Sequence, residues 1–455
     1  MRSASEVVGG PAGRRTLGHP WWTPVRVVLA VACVAWLFAM LQKAPCAADH
    51  WSGDNSRYAQ LCYSDVPFLY VGRGFAEARL PYADSGGRYP ALEYPVLIGY
   101  FADAAALATQ ALHGSPDIEA RRSEPVDALY ADPSVEAERR DYFVVTAVLL
   151  APFLLLSAWF LVGAHRGRPW DAMGFAAAPV LVLSGLVNWD VLAIACLAGA
   201  MWAWARGRPV LSGVMVGLGT ATKLYPLFLL GALLVVALRR GQLAAFGKAA
   251  LGAAVAWTVV DLPAMLYGWE GWRGFWSFNA DRGADLGSLW LVAADAGAAF
   301  PAGTINRVSA VAFLVVCVGV LVLGLRAANV PRIPQLAFLV VAGFLIVNKV
   351  YSPQYVLWLL PLAVLARPRW RDLLIWQAGE VFYFVMVWMY LGGYTAPATS
   401  GAQDVAYAWA IVVRVLAELY LCGVIVRDVL RPWRDPVRLS AGSLDADPMS
   451  PVGVS

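Results

Sequence analysis

Long apolar blocks alternate with short, arginine-rich polar turns along most of the chain. The first block, Val25–Leu41, follows Arg14 and Arg15 and lacks a small-residue cleavage site, so it reads as an uncleaved membrane helix. A polar and mixed stretch, 43–140, comes next. Denser blocks then predict spans at 141–164, 170–188, 190–206, 209–224, 225–239, 244–266, 305–326, 335–349, 353–366, 373–391 and 405–426, twelve with the first. Several are shorter than the roughly 20 residues a full crossing needs. The segment Tyr94–His113 is apolar but is begun by Pro95 and interrupted by Asp103, and it is expected to lie as an amphipathic or re-entrant helix at one surface.

The charges give this pattern an orientation. With the N-terminus in the cytoplasm, the turns around Arg168, Arg206–Arg208, Arg239–Arg240, Arg326–Arg332, Arg367–Arg371 and the tail Arg427–Arg438 all become cytoplasmic. More than half of the 35 lysines and arginines then lie on that side, as the positive-inside rule requires. Counting Tyr94–His113 as a crossing would invert every later loop. The predicted organisation is a cytoplasmic segment 1–24, a polytopic membrane domain 25–426 with a first extracytoplasmic loop 43–140, and a cytoplasmic, largely disordered tail 427–455. The fold class is all-α: an integral membrane protein of about twelve transmembrane helices, whose long first outer loop carries surface helices.

Composition agrees. Hydrophobic residues make up 60% of the 455 and charged residues 15%, which excludes a soluble globular chain, a disordered chain and a nucleic-acid binder. Of the six cysteines, Cys33, Cys196, Cys317 and Cys422 fall in apolar blocks and read as small packing residues. Cys46 and Cys62 lie in the first polar loop, where a disulfide is reasonable in an oxidising compartment. The four histidines show no ligand spacing, so no metal site is assigned.

On this threading the costly polar residues gather at one face: Asp65, Glu93, Asn188-Trp-Asp190, Lys223-Leu-Tyr225-Pro226, the loop Trp269–Trp290, and Asn348-Lys349-Val-Tyr-Ser352-Pro-Gln354-Tyr355. Lysines at such a face can stabilise an anionic leaving group such as a phosphate. A hydroxyl acceptor needs a carboxylate base within hydrogen-bond reach. Asp65 is the first candidate and Glu93 and Asp190 are the reserves. Its rival role is to cap a surface helix Val66–Ala78, with Ser64 as an alternative cap. Lys223 and Lys349, with Tyr225, Ser352, Gln354 and Tyr355 beside them, are expected to hold the phosphate. The run beginning at Trp269 interleaves rings with polar groups. Trp272, Arg273, Trp276 and Asn279 suit a sugar face or, equally, an interfacial aromatic belt. Gly213-x-x-x-Gly217 matches close helix packing, and Arg414 and Glu418 are spaced for a buried pair.

Tyr63-Ser-Asp65, Glu77-Ala-Arg79-Leu-Pro-Tyr82 and Glu93-Tyr94-Pro95 resemble the first outer loop of integral-membrane C-type glycosyltransferases. Lys223-Leu-Tyr-Pro226 and Asn348–Tyr355 followed by Trp358 resemble motifs of the polyprenyl-phosphate-mannose-dependent mannosyltransferases of glycosyltransferase family 87. They also resemble the catalytic subunit of the first GPI mannosyltransferase. That resemblance runs from about residue 25 to 426. It implies the C-type glycosyltransferase fold and inverting transfer of mannose from polyprenyl phosphate to a glycolipid or polysaccharide hydroxyl at the outer face of a bacterial plasma membrane. Asp65 is then the general base. Pro67 stands where related enzymes often carry the second acid of Asp-x-Asp, which puts a divalent metal in doubt. A secondary transporter or lipid flippase is the alternative reading of the twelve spans, although no internal repeat is visible. A non-catalytic subunit that retains the fold is another.

Overall fold

A computed structural model describes residues 21–51, 55–84, 87–165, 167–395 and 404–441. Most of the predicted N-terminal segment and residues 442–455 of the tail lie outside the described residues. The described chain is all-helical, without a strand among these residues. In order, the helices are α1 (Pro24–Ala48), α2 (Ser56–Ala59), α3 (Asp65–Gly72), α4 (Val96–Leu112), α5 (Ile118–Ser123), α6 (Val126–Ala131), α7 (Pro133–Ala164), α8 (Met173–Ala176), α9 (Pro179–Ser184) and α10 (Val191–Ala205). They continue as α11 (Pro209–Thr222), α12 (Leu229–Arg240), α13 (Leu243–Tyr267), α14 (Trp269–Asp281), α15 (Leu289–Asp295), α16 (Ala302–Arg326), α17 (Ile333–Val347), α18 (Val356–Ala366), α19 (Trp370–Leu391), α20 (Val405–Leu430) and α21 (Pro436–Ala441).

Among the described residues, six helices, α1, α7, α13, α16, α19 and α20, are long and apolar enough to cross a membrane, which suggests a multi-pass membrane protein. Their outward faces fit that solvent. Val311, Leu314, Val315 and Val318 stand exposed on α16, as do Leu251, Val255, Val259 and Leu266 on α13. In water such stripes would be a large exposed apolar patch; in lipid they are the correct surface. The other predicted spans are shorter or broken. The block 170–188 is a 3-10 turn at Pro169–Ala172 followed by α8 and α9, and 225–239 begins as a 3-10 turn at Tyr225–Phe228.

Two ends can be distinguished by what the helices join. α11 leaves Arg208 and reaches Lys223, and α12 returns to Arg239. α17 leaves Arg332 and reaches Asn348, and α18 returns to Arg367. Proline contributes to both reversals in different ways: Ser352 is extended directly before Pro353, whereas at the other tip Lys223 is the extended residue and Pro226, within the 3-10 turn that follows, lacks the N–H that would continue the helix. The Gly213 and Gly217 pattern is structural, as expected. A Cβ at either would collide with the carbonyl of Ala249 or Ala253 on α13.

Several expectations need correction. Helix extends into both ends of the segment 43–140, since α1 runs on to Ala48 and α7 starts at Pro133. The expected surface helix Val66–Ala78 ends at Gly72 and is not at the surface, since Val66, Tyr70 and Val71 are fully buried. Trp269–Trp290 is not a loop: it holds all of α14 and the start of α15. Tyr94–His113 does form a helix, α4, whose small residues Gly99, Ala102, Ala105 and Ala106 are buried. The tail is not disordered from 427. α20 continues to Leu430, and Asp435, Val437 and Arg438 are buried. The reason is ion pairing, with Arg332 Nε 2.8 Å from Asp435 and Arg367 Nη1 2.6 Å from Asp428. Of the four unpaired cysteines, Cys33 is exposed on α1 rather than packed.

Candidate active site

A cavity of about 700 Å³ lies where the two proline-broken tips meet the first loop. Asp65, Glu93, Lys223, Trp276, Asn279, Lys349, Ser352, Gln354 and Tyr355 all line it. Residues up to 290 positions apart in sequence are thus gathered by the fold into one chamber, large enough for a sugar and a phosphate.

Asp65 is carried on the first turn of α3. Ser64 caps that helix, its Oγ accepting from the Val66 N–H at 3.3 Å, so the rival role for Asp65 is already taken. The Asp65 backbone N–H is fixed on the Val187 carbonyl at 2.8 Å. Its carboxylate accepts from Tyr94 Oη at 2.8 Å and from Tyr63, and forms no ion pair among the described residues. Burial pushes its pKa above the usual carboxylate range. The tyrosine hydrogen bonds and Lys223 oppose that shift, and Glu93 adds to it. The segment below it is stapled to α1 twice: Cys46 and Cys62 form the disulfide, and the buried Lys43 donates to the Tyr63 carbonyl at 2.7 Å.

The other two acids are differently placed. Glu93 lines the cavity but its Oε2 takes both Nε and Nη2 of Arg73, at 2.9 and 2.7 Å. Asp190 does not line it. Asp190 sits behind Lys223, 3.0 Å from its ammonium, and accepts from Trp358 Nε1 at 3.0 Å. Its place is that of a counter-ion, not of a base facing a substrate.

The two lysines also differ. Lys223 lies 4.5 Å from the centre of the Tyr94 ring and is neutralised by Asp190. Lys349 donates only to neutral oxygens, Asn306 Oδ1 and the Ala280 carbonyl, and so keeps a full charge at the cavity wall. Desolvation, and then Arg282 nearby, pull its pKa below the ordinary lysine value, and the Asp281 carboxylate, not in contact with it, works against them. Tyr225 is buried under the tips, stacked on Trp358 at 4.6 Å, and Tyr355 stacks on the same indole at 3.9 Å. Tyr225 therefore joins the two motifs and does not reach the cavity. The buried Gln354 Oε1 has no partner and belongs to a cavity-lining side chain.

On α14, Trp276 and Asn279 share the cavity face, whereas Trp272 bonds Asp261 at 3.0 Å in an adjoining small cavity. Arg273 is exposed, 3.6 Å from Glu270 and outside the chamber. Asn348, part of the polar run read from the sequence, lines the cavity too, whereas Arg73, Arg282 and Asn306 were not singled out. The i, i+3 spacing of Phe275, Phe278 and of Trp276, Asn279 was the available signal for a helix there. No group of three His, Cys, Asp or Glu side chains comes together among the described residues.

Residues 139–353 match the family model of glycosyltransferase family 87. The match spans less than half of the chain; as a likeness it supports membrane glycosyltransferase activity in general, which implies a sugar donor and an acceptor as partners. It includes Asp190, Lys223, Tyr225, Trp272, Arg273, Trp276, Asn279, Lys349 and Ser352, and it stops at Pro353, before Gln354 and Tyr355. Asp65 and Glu93 lie outside it. None of the curated proteins compared matches the chain.

Proposed function

We propose that this chain transfers a hexose, mannose by the resemblance of its motifs, from polyprenyl phosphate to an extracytoplasmic acceptor hydroxyl, with inversion. Asp65 removes the acceptor proton. The acceptor oxygen forms its bond to the anomeric carbon as the bond from that carbon to the phosphate oxygen breaks, and polyprenyl phosphate leaves with the electron pair. Lys349 stabilises the departing charge, with Ser352, Gln354 and Tyr355 beside it.

One observation carries this reading. A single cavity holds a carboxylate with no cation paired to it and, from a distant part of the chain, a lysine with no carboxylate paired to it. A charge left unpaired in a partly buried wall is costly, and a substrate that supplies the missing partners explains both at once. The threading has independent support. The helical segments alternate between the cavity and the arginine turns, and the Cys46–Cys62 disulfide belongs to an oxidising side. Twelve crossings, a bacterial plasma membrane and an outward cavity follow from this reading.

The test is direct. Membranes containing the chain, given radiolabelled polyprenyl-phosphate mannose, should move label into extractable glycolipid or polysaccharide, and membranes with Asp65→Asn should not. Transfer at an equal rate in both would overturn the assignment of Asp65. No transfer from any polyprenyl-phosphate hexose by the unaltered chain would overturn the reaction.

A further inference from the structure

Of the run Asn348–Tyr355, Tyr351 alone does not line the cavity. It is fully buried on the far side of the backbone, its hydroxyl donating to Glu380 Oε2 at 2.8 Å. The backbone around it is paired with the segment between α14 and α15. Asp285 N–H donates to the Lys349 carbonyl at 2.9 Å, and Tyr351 N–H donates to the Leu286 carbonyl at 2.6 Å. Two cavity-lining cations are therefore tied to one short backbone pair. Lys349 belongs to it, and Arg282 Nε lies 2.6 Å from Asp285 Oδ2.

A buried cation of the last long helix holds that pair from behind. Arg414, on α20 and without exposed surface, donates from Nη2 to the Gly287 carbonyl at 3.0 Å. Its guanidinium carbon lies 3.8 Å from the centre of the Tyr351 ring. Gly287 N–H donates to Tyr407 Oη at 3.0 Å, and Tyr383 Oη donates to the Tyr351 carbonyl at 2.6 Å. Gly287 has φ +69°, and a Cβ there would collide with Tyr383 Oη and the Tyr351 carbonyl, so the segments meet without slack.

Stability is a poor account of Arg414. A buried ion pair is often no better than apolar residues of similar volume. This one is also incomplete: Nη1 meets Glu418 Oε2 at 2.8 Å, yet Arg414 Nε and Glu418 Oε1 have no partner. An apolar side chain could fill the space between the helices. It could not bind the Gly287 carbonyl, which is the contact that ties α20 to the backbone beside Lys349.

We propose that Arg414 is a positioning residue for phosphate binding. By holding the Gly287 carbonyl and packing on Tyr351, it fixes the paired segments 285–287 and 349–351, and with them the place of the Lys349 ammonium in the cavity wall. Tyr383 serves the same end through the Tyr351 carbonyl. This rests on the reading of Lys349 as the phosphate anchor, and it assigns a task to a charge that stands 127 positions from the glycine it holds and outside the cavity.

The test is a double-mutant cycle read by ligand binding. The full chain in lipid nanodiscs would be titrated with farnesyl phosphate, which carries the phosphate and a short prenyl chain but no hexose. Lys349→Ala should weaken binding at least about tenfold. Arg414→Lys keeps a cation for Glu418 but lacks the fork that reaches Gly287 as well, and should weaken binding about three- to tenfold, as expected of coupled residues. Tyr383→Phe, which loses only a hydroxyl, should weaken it by a smaller factor. In the Lys349→Ala background neither change should weaken binding further, because the group they position is gone. A merely structural role would add its effect in both backgrounds. Arg332→Lys, in a closed pair at the arginine end, should lower the melting temperature and leave binding unchanged.

The positioning role is overturned if Lys349→Ala weakens binding while Arg414→Lys and Tyr383→Phe do not, or if their effects add in full to that of Lys349→Ala. Binding unchanged in Lys349→Ala would instead overturn the phosphate anchor, and the positioning role with it, so the two failures are distinct. Should Arg414→Lys not fold, Tyr383→Phe decides on the same criteria.

Discussion

The two ends of the helices hold charge in opposite ways. At the arginine end, Arg332 is closed on Asp435 and on the carbonyls of Leu365 and Ala366, and Arg367 is closed on Asp372 and Asp428. Arg332, Arg367 and these three aspartates are all 2% exposed or less. At the cavity end, Asp65 has only tyrosine donors and Lys349 only neutral acceptors. The same residue types are thus structural where the fold completes their partners and chemical where it does not. Exposure alone would miss this, because Lys349 at 8% and Lys223 at 9% are nearly as buried as the closed pairs. The informative quantity is what each charge faces.

The largest effect should come from breaking a closed pair. Arg367→Ala would take from two buried aspartates their shared buried partner, leaving Asp372 with Arg371 and Tyr420 and Asp428 with Arg427, and removing one partner of a buried pair costs up to about 3–5 kcal/mol. The expected outcome is a large fall in yield and melting temperature, with transfer per folded molecule little changed. Transfer lost in step with a normal melting temperature would mean that this end takes part in the chemistry.

Asp65→Asn should do the reverse. General base catalysis contributes typically about 10²–10⁴-fold, so transfer should fall at least about a hundredfold. Stability should not fall. A carboxylate whose pKa is raised in the fold favours its protonated form there, so its ionised form opposes folding at neutral pH, and the neutral amide removes that penalty. A melting temperature equal to or above that of the parent, beside dead transfer, is the expected pair of readings. Should Glu93→Gln be dead and Asp65→Asn active, the base is Glu93 and its bond to Arg73 must open during turnover.

The lysines extend the comparison within the cavity. Lys349→Ala removes an uncompensated charge and should weaken donor use by about 1.5–3 kcal/mol, roughly 10- to 100-fold. Lys223→Ala should cost less in donor affinity, because Asp190 already neutralises that ammonium. It would, however, strand Asp190 and lower the melting temperature. Equal donor KM values for the two variants would show that Asp190 does not hold Lys223 during binding.

How much of this was legible in the chain depends on the range of the interaction. The alternation of apolar blocks with arginine turns is local and periodic, so most helical segments could be read directly, although the block 170–188 is broken into a turn and two short helices. The two tips were legible because a polar run and a proline together interrupt the apolar blocks there; proline alone is no such signal, since Pro152, Pro263 and Pro361 lie inside helices. Whether a charge is free was not. Lys223 meets Asp190 from 33 positions earlier, and Arg332 meets Asp435 from 103 positions later, pairings that only the packed fold decides. The start of the tail, 427–441, is helical and paired for that reason, while the Ser-, Asp- and Pro-rich stretch whose composition looked disordered lies almost wholly outside the described residues. Arg273 lies one i, i+3 step from Trp276 on α14, yet its exposed side chain meets Glu270 outside the chamber, which spacing alone does not tell.

The smallest and sharpest effect lies in the pH profile. Asp65 must be ionised to take a proton, and its raised pKa means that activity is lost on acidification earlier than for an ordinary carboxylate of about 4. Lys349 must be protonated to hold a phosphate, and its lowered pKa means that donor affinity is lost on alkalinisation before the ordinary lysine value of about 10.4. The two limbs are both drawn inward, so the bell should be narrower than free side chains would give. Lys349→Arg separates them. Arginine stays charged throughout, so the alkaline limb in donor KM should move outward while the acid limb stays in place, with affinity only partly restored because a planar fork replaces a compact ammonium. An alkaline limb that does not move in Lys349→Arg would assign it to another group, and the free lysine of the cavity would then not be the phosphate anchor.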